Sequence, residues 1–571
     1  MTTVPNPLLP GCFPDPSVCR VGEDHYLVTS TFEYLPGLPV LRSRDLVSWE
    51  VVGHVVDRPG MLDYTGLAGS SGLYAPTIRH HDGLFWVVCT LVDQIAERGD
   101  ADDAEDRARR ARGNFLVTAT DPAGPWSDPV WLDADGIDPS IAFDEDGRAW
   151  VHGTRVARDP QWPGQTEVWV RELDRDTLAL VGPEHVIWTG AVRGAVWAEG
   201  PHLYRIDGRW YLVAAEGGTE FHHAVSVARA DHVTGPYTGY AGNPVLTHRH
   251  LGHGSDVVGV GHADLVQAAD GSWWSVALGM RTYGGYHYPL GRETFLLPVA
   301  WEDGWPVFAP GAGRVPAEVD VPFADTWTPG VVQGRTAGPV PPADPRWTAV
   351  RALPAEVATA DGDAWVLPVL PAGLADLDVP PFLGVRQQHR DLDLRVVLRA
   401  DLADGEEAGI AARQDERHHV RLSVGPAGPD GSRHVTLVHR AGTDETLLGE
   451  ALLTAPGAVG APAAPDVRDA PGVLDAPGVL AAPDVPAAPH VRGAQAAPVT
   501  LVLRARGADY ALLAAIGDAE PVLVGHADPC ALDSVSTGGF LGVWLGVHAT
   551  SAGRPTTSTV RIESLDYTPL A

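Results

Sequence analysis

Lysine is absent: all 41 basic residues of this 571-residue chain are arginine. That excludes a Schiff-base lysine and a P-loop lysine. Cysteine is scarce. Cys12, Cys19, Cys89 and Cys530 form no CxxC pair, so neither a metal–cysteine site nor a disulfide scaffold is expected. Positive charge is short overall, with 41 arginines against 73 acids and a net charge of −32. Such a charge repels nucleic acid and anionic membranes. It suits solubility and a neutral partner. No run of about 18 apolar residues is available to span a membrane. The opening MTTVPNPLLPG has neither a basic start nor an apolar stretch, which points to no secretory signal and a cytoplasmic location.

What is present is length and a repeat. At 571 residues the chain is too long for one ordinary core, and two or three domains are expected. An acidic turn followed by an aromatic strand recurs as GEDHYLVTS, HDGLFWVVCT, EDGRAWVHG, IDGRWYLVAAE and ADGSWWSVAL. The turn aspartates are Asp24, Asp82, Asp146, Asp207 and Asp270, spaced by 58, 64, 61 and 63 residues. Asp-Gly between apolar runs signals a hairpin, and bulky aromatics suit a half-buried strand. Five such hairpins at near-constant spacing predict an all-β fold that begins with a five-bladed β-propeller over residues 1–315.

From 321 to 571 the pattern changes. LRVVLRADL, HHVRLSVG, HVTLVHRAG and VTLVLRARG alternate with period two, which predicts a β-sandwich. It is interrupted by a Pro/Ala-rich tract near 454–498, with DAPGVL twice, that reads as a surface loop. A charged insertion near 97–112, RGDADDAEDRARRAR, reads as a solvated helix or loop in the second blade.

The repeat also aligns chemistry. Eight residues before each turn aspartate, nine in the first blade, stand Asp15, Tyr74, Asp138, Glu199 and His262. Equivalent positions on the innermost strands of a propeller converge on its axis. Proline beside several of them fixes the backbone and removes an amide donor, as at a strand start facing a cavity. Three acids in one pocket cannot all ionise freely, and the resulting split supplies a general acid together with a general base.

These residues sit in longer motifs. NPLLPGCFPDPSV, STFEYLPGLPVLRSRDLVSWE, GLYAPTIRHHDG, GIDPSIAFDEDG, AEGPHLY, AEGGTEF, GHADLV and LGRETFLLPVAWEDGWPV run in order through residues 5–310. The chain resembles glycoside hydrolase family 43, the β-xylosidase and α-L-arabinofuranosidase group, and its C-terminal half is similar to the concanavalin-like sandwich appended to xylosidases of that family. The resemblance implies Asp15 as the base that activates water and Glu199 as the acid that protonates the leaving oxygen. Asp138 would orient Glu199 and raise its pKa. It implies inversion, which needs the two carboxyls about 6.5–9.5 Å apart to admit water. Arg292 and His262 would bind sugar hydroxyls, Phe32 and Tyr74 would wall the subsite, and Thr219 would sit near it.

The expectation is thus an exo-acting, inverting xylosidase on the non-reducing ends of β-1,4-xylo-oligosaccharides. The sandwich is expected to send a loop to the pocket rim. A small oligosaccharide is the expected partner, with no nucleic acid and no membrane. No cofactor is required; an axial calcium held by His262, and a homo-oligomer, stay open. Bland readings stand beside these: Arg292 as an ion-pair partner, His262 as a core histidine, Phe32 and Tyr74 as packing. The rival activities are an α-L-arabinofuranosidase, a bifunctional enzyme, a non-catalytic carbohydrate-binding propeller and a retaining fructan hydrolase.

Overall fold

Turn chemistry decides where the hairpins form. In the computed structural model, which describes residues 2–94, 113–324, 344–454 and 497–570, Asp82–Gly83 and Asp207–Gly208 each hold positive φ at both residues and join paired strands directly. That is the two-residue turn whose twist matches its flanking strands. The third and fifth hairpins close through longer loops, 144–148 and 268–272. The first differs from the sequence reading. Asp24 is not in the turn; it opens the second strand opposite Val21, and Gly22 supplies the positive φ. The charged insertion near 97–112 lies outside the described residues, as does nearly all of the Pro/Ala-rich tract.

Five antiparallel sheets follow in chain order, each meandering through four strands, with a short extra strand Leu246–Thr247 in the fourth. Their first strands are Ser17–Val21, Gly72–His81, Ile137–Phe143, Glu199–Ile206 and Val257–Gln267. These pack on one another around a common axis, forming a five-bladed propeller. Thr2–Pro5 pairs with Glu318–Val321, and Leu9 bridges Thr294. The start of the chain is thereby fastened to its fifth blade.

Two further sheets, of eight and seven strands, stack as a sandwich. Period two governs their core. Along Leu392–Ala400 alternate residues are buried, and Leu394, Val396 and Leu398 meet Ile410, Leu422 and Val547 from the facing sheet.

The eight-stranded sheet ends on a strand borrowed from the first blade. Tyr34–Leu35 pairs with Thr348–Val350. Tyr34 stacks on Trp544, with ring centroids 3.9 Å apart. Arg413, wholly buried, donates to the Tyr34 hydroxyl at 2.7 Å and to Glu33 Oε1 at 3.3 Å. Burial pushes the Glu33 carboxyl up to about 7, against the pull of Arg413. Removing one partner of a buried ion pair strands the other charge. Arg413→Met is therefore expected to destabilise the protein by about 3–5 kcal/mol, seen as a lower urea midpoint. Adding Glu33→Gln should restore part of the loss.

Candidate active site

Each innermost strand enters the ladder through a kink. Asp15, Ala75, Asp138, Gly200 and His262 all have positive φ, at 55°, 35°, 53°, 53° and 44°. The ladder slips beside four of them, between Tyr74 and Thr77, Ile137 and Ser140, Glu199 and His202, and Gly261 and Ala263. Proline follows the kinked residue in the first four blades, where an amide has no ladder partner to meet. A bulge of this kind re-aims a side chain, and left-handed non-glycine residues mark strain held by their surroundings. The kinked residue itself carries the chemistry in blades one, three and five. In blades two and four the functional side chain is one residue earlier, on Tyr74 and Glu199.

The eight residues singled out in the sequence form one connected cluster. Asp15 is 5% exposed. Its Oδ1 accepts from Arg292 Nη1 at 2.9 Å, and its Oδ2 accepts from Ser30 Oγ at 2.7 Å. His262 Nδ1 lies 3.8 Å from the same carboxylate. The His262 ring packs on Gly200, where an added Cβ would meet its Cε1 at 2.8 Å. Asp138 Oδ2 accepts from the Gly200 amide at 2.9 Å, which ties it to the residue after Glu199. Arg292 also donates to Thr219 Oγ1 at 3.3 Å. Its guanidinium stands 5.4 Å from the Phe32 ring, and Phe32 meets Tyr74 edge to face at 5.2 Å. Tyr74 is tethered by its hydroxyl to the Ser70 carbonyl and accepts from Gln94 at 2.7 Å.

Electrostatics separate the three acids. Burial pushes the Asp15 carboxyl up, but Arg292, His262 and Ser30 together overcome it, and Asp15 sits below its ordinary range. Asp138 is raised by burial and by Asp15, in spite of His262, the Gly200 amide and Arg292. Glu199 is raised well above its ordinary range, first by burial and then by Asp138 and Asp15. One pocket therefore offers a carboxylate and a neutral carboxylic acid at the same pH.

Four neighbours were not legible in the sequence. Ser30 orders Asp15 and also accepts from the Ala75 amide at 2.7 Å, joining two blades. Thr154 Oγ1 donates at 2.6 Å and Thr166 Oγ1 at 2.9 Å to the carbonyl of Ala198, which holds the backbone just ahead of Glu199. Phe540 comes from the sandwich. Its ring lies 5.3 Å from the Arg292 guanidinium, opposite Phe32 and nearly parallel to it, and 5.8 Å from Tyr74. Its amide donates to Ser70 Oγ at 2.9 Å. The sandwich thus places a side chain against the catalytic cluster.

Below the acids the axis is filled by a charged pair. Asp264, fully buried, accepts from Arg79 at 2.8 and 3.0 Å, from Ser17 Oγ at 2.8 Å, from the Val18 amide at 2.9 Å and from Tyr204. Five donors, two of them from a guanidinium, saturate its carboxylate.

Comparison with known proteins agrees with this architecture. The family model described as glycosyl hydrolases family 43 matches residues 4–306, and that of the beta xylosidase C-terminal concanavalin A-like domain matches residues 343–461. A xylosidase/arabinosidase of Butyrivibrio fibrisolvens is 40% identical over 433 residues, covering 74% of this chain and 80% of that one. A non-reducing end alpha-L-arabinofuranosidase of Bacteroides ovatus is 37% identical over 438 residues, covering 74% and 76%. The crystal structure of xylan beta-1,4-xylosidase from Bacillus halodurans superposes with a TM-score of 0.81 at 27% identity, over 99% of this chain and all of that one. With its propeller, its appended concanavalin-like sandwich and these relatives, the chain belongs to glycosyl hydrolases family 43 and is a glycoside hydrolase.

Proposed function

We propose that this enzyme releases xylose from the non-reducing ends of β-1,4-xylo-oligosaccharides with inversion, using Asp15 as general base and Glu199 as general acid. The observation that carries the reading is the opposed displacement of the two carboxyls: Asp15 held ionised by Arg292, Glu199 held protonated by burial and by its neighbouring acids. Water activated by Asp15 attacks the anomeric carbon as Glu199 gives its proton to the departing oxygen. Asp138, bonded to the Gly200 amide, keeps the acid placed and protonated. Phe32, Tyr74 and Phe540 present apolar walls to the C–H face of the terminal sugar, while Arg292 and His262 offer polar groups to its rim. No step requires a cofactor. Phe540, packed by the sandwich against Arg292 and Tyr74, supports removal of single terminal sugars.

Proton NMR of xylobiose hydrolysis tests the reading. α-Xylose appearing first supports it; β-xylose appearing first overturns the inverting mechanism and the role of Asp15. The names of the Butyrivibrio and Bacteroides relatives favour a second reading, α-L-arabinofuranosidase activity in the same pocket. Paired nitrophenyl xyloside and arabinofuranoside assays separate the two.

The Asp15–Arg292 pair also fixes a pH dependence. Arg292 favours the ionised form of Asp15, so its loss raises the pKa of the base. In Arg292→Met the acidic limb of kcat/KM is expected to move up by about 1 to 3 pH units, together with a higher KM. The variant then loses more activity at pH 5 than at pH 8 relative to wild type.

A further inference from the structure

We propose that Trp197 is the platform on which the leaving sugar stacks, and so sets the enzyme's preference for a glycosyl over a small leaving group; the inference rests on the role given to Glu199 above. Among the described tryptophans only Trp131 and Trp197 are exposed, Trp197 at 44%. Its backbone φ is +51°. A bulky residue in the left-handed region is a true outlier and persists only where the surroundings enforce it.

The surroundings do enforce it. The Trp197 amide donates to the Gly164 carbonyl at 2.9 Å, and the Gly217 amide donates to the Val196 carbonyl at 2.9 Å. Trp162 Nε1 donates to the Ala195 carbonyl at 2.7 Å. Lower in the same loop the buried Glu216 carboxylate accepts from the Ala191 amide at 2.7 Å and from Trp188 Nε1 at 3.2 Å. Three bonds hold the strained backbone of a solvent-facing tryptophan, and Glu216 braces the loop that leads to it. A tryptophan serving the core needs none of this, as Trp169 shows with no exposure and no outlying backbone.

The position gives the ligand. Trp197 stands two residues ahead of Glu199. Its ring borders Gly218, where an added Cβ would meet Cδ1 at 3.2 Å, and the next residue, Thr219, accepts from the Arg292 that binds Asp15. The indole is therefore continuous with the catalytic cluster through Thr219 and Arg292, and its backbone adjoins the strand start that carries the acid. The acid must meet the leaving oxygen, so the departing sugar lies on the side of the acid. An exposed indole offers a flat apolar surface for the C–H face of a pyranose, with Gly218 and Gly164 beside it lacking side chains to obstruct the approach.

The test compares xylobiose with β-D-xylopyranosyl fluoride, which has the same terminal sugar and no leaving ring. Trp197→Ala is expected to lose about tenfold in kcat/KM on xylobiose, roughly 1.4 kcal/mol, and less than about twofold on the fluoride. Trp197→Phe should keep most of the activity on both. Equal losses on both substrates, or no loss on either, overturn the platform. A wild type inert on both xylosides overturns the xylosidase reading instead; arabinobiose against α-L-arabinofuranosyl fluoride then makes the same comparison, with the same two outcomes for Trp197.

Discussion

Glu199→Gln is expected to lower kcat on xylobiose by about 10²–10⁴-fold, the usual worth of a positioned general acid. Glutamine keeps the volume of the side chain and removes the proton. The raised pKa of Glu199 is what makes that proton available near neutrality, since an ordinary carboxyl would already have lost it. The loss must therefore depend on the leaving group. Xylose departs as a poor alkoxide and needs protonation, whereas 2,4-dinitrophenolate does not. The variant should cleave dinitrophenyl xyloside at close to the wild-type rate, and the alkaline limb of its pH profile should disappear. Equal loss on both substrates means that Glu199 is not the acid. The same experiment informs on Asp138. Asp138→Asn keeps a side-chain carbonyl for the Gly200 amide but removes a negative charge beside Glu199, so the alkaline limb should fall to lower pH with little change in KM.

How much of this was legible from the residues depended on how local the determinant is. Asp82–Gly83 and Asp207–Gly208 encode their turns within two residues, so the blades could be counted from sequence. The burial alternation along Leu392–Ala400 is equally local, and the sandwich followed from it. The first hairpin misled because Gly22, not Asp24, provides the left-handed residue; Gly22 stands seven residues after the kink at Asp15, as Asp82 does after Ala75 and Asp207 after Gly200. Tyr74 and Glu199 fell on the right strands, yet the kinks sit at Ala75 and Gly200; only backbone conformation distinguishes a residue from its neighbour there. Phe540 and Tyr34–Leu35 were out of reach for a different reason. Each acts across the boundary between propeller and sandwich, and the sequence around Phe540, TGGFLG, carries no sign of Arg292. Ser30 is a further case: its hydroxyl links Asp15 to the Ala75 amide, a contact set by how two blades meet.

The complementary variant, Asp15→Asn, is expected to lose about 10²–10⁴-fold as well, but with no dependence on the leaving group. Water must be deprotonated whatever departs, so dinitrophenyl xyloside should offer no escape. Asparagine can still accept from Arg292 Nη1 through its carbonyl, so the arginine is not left unpaired and the pocket should keep its shape. What it cannot do is take a proton. Azide, an anion that needs no base, is expected to restore turnover of the dinitrophenyl substrate in this variant and to yield α-xylosyl azide, the inverted product. A nucleophilic role for Asp15 predicts otherwise: a covalent intermediate in wild type, a burst of dinitrophenolate, and β-xylose as the first product. The two single variants therefore answer separate questions. Glu199→Gln reads the proton given to the leaving group, and Asp15→Asn reads the proton taken from water. Only an enzyme that divides the two tasks between these carboxyls shows rescue by the leaving group in one and rescue by the nucleophile in the other.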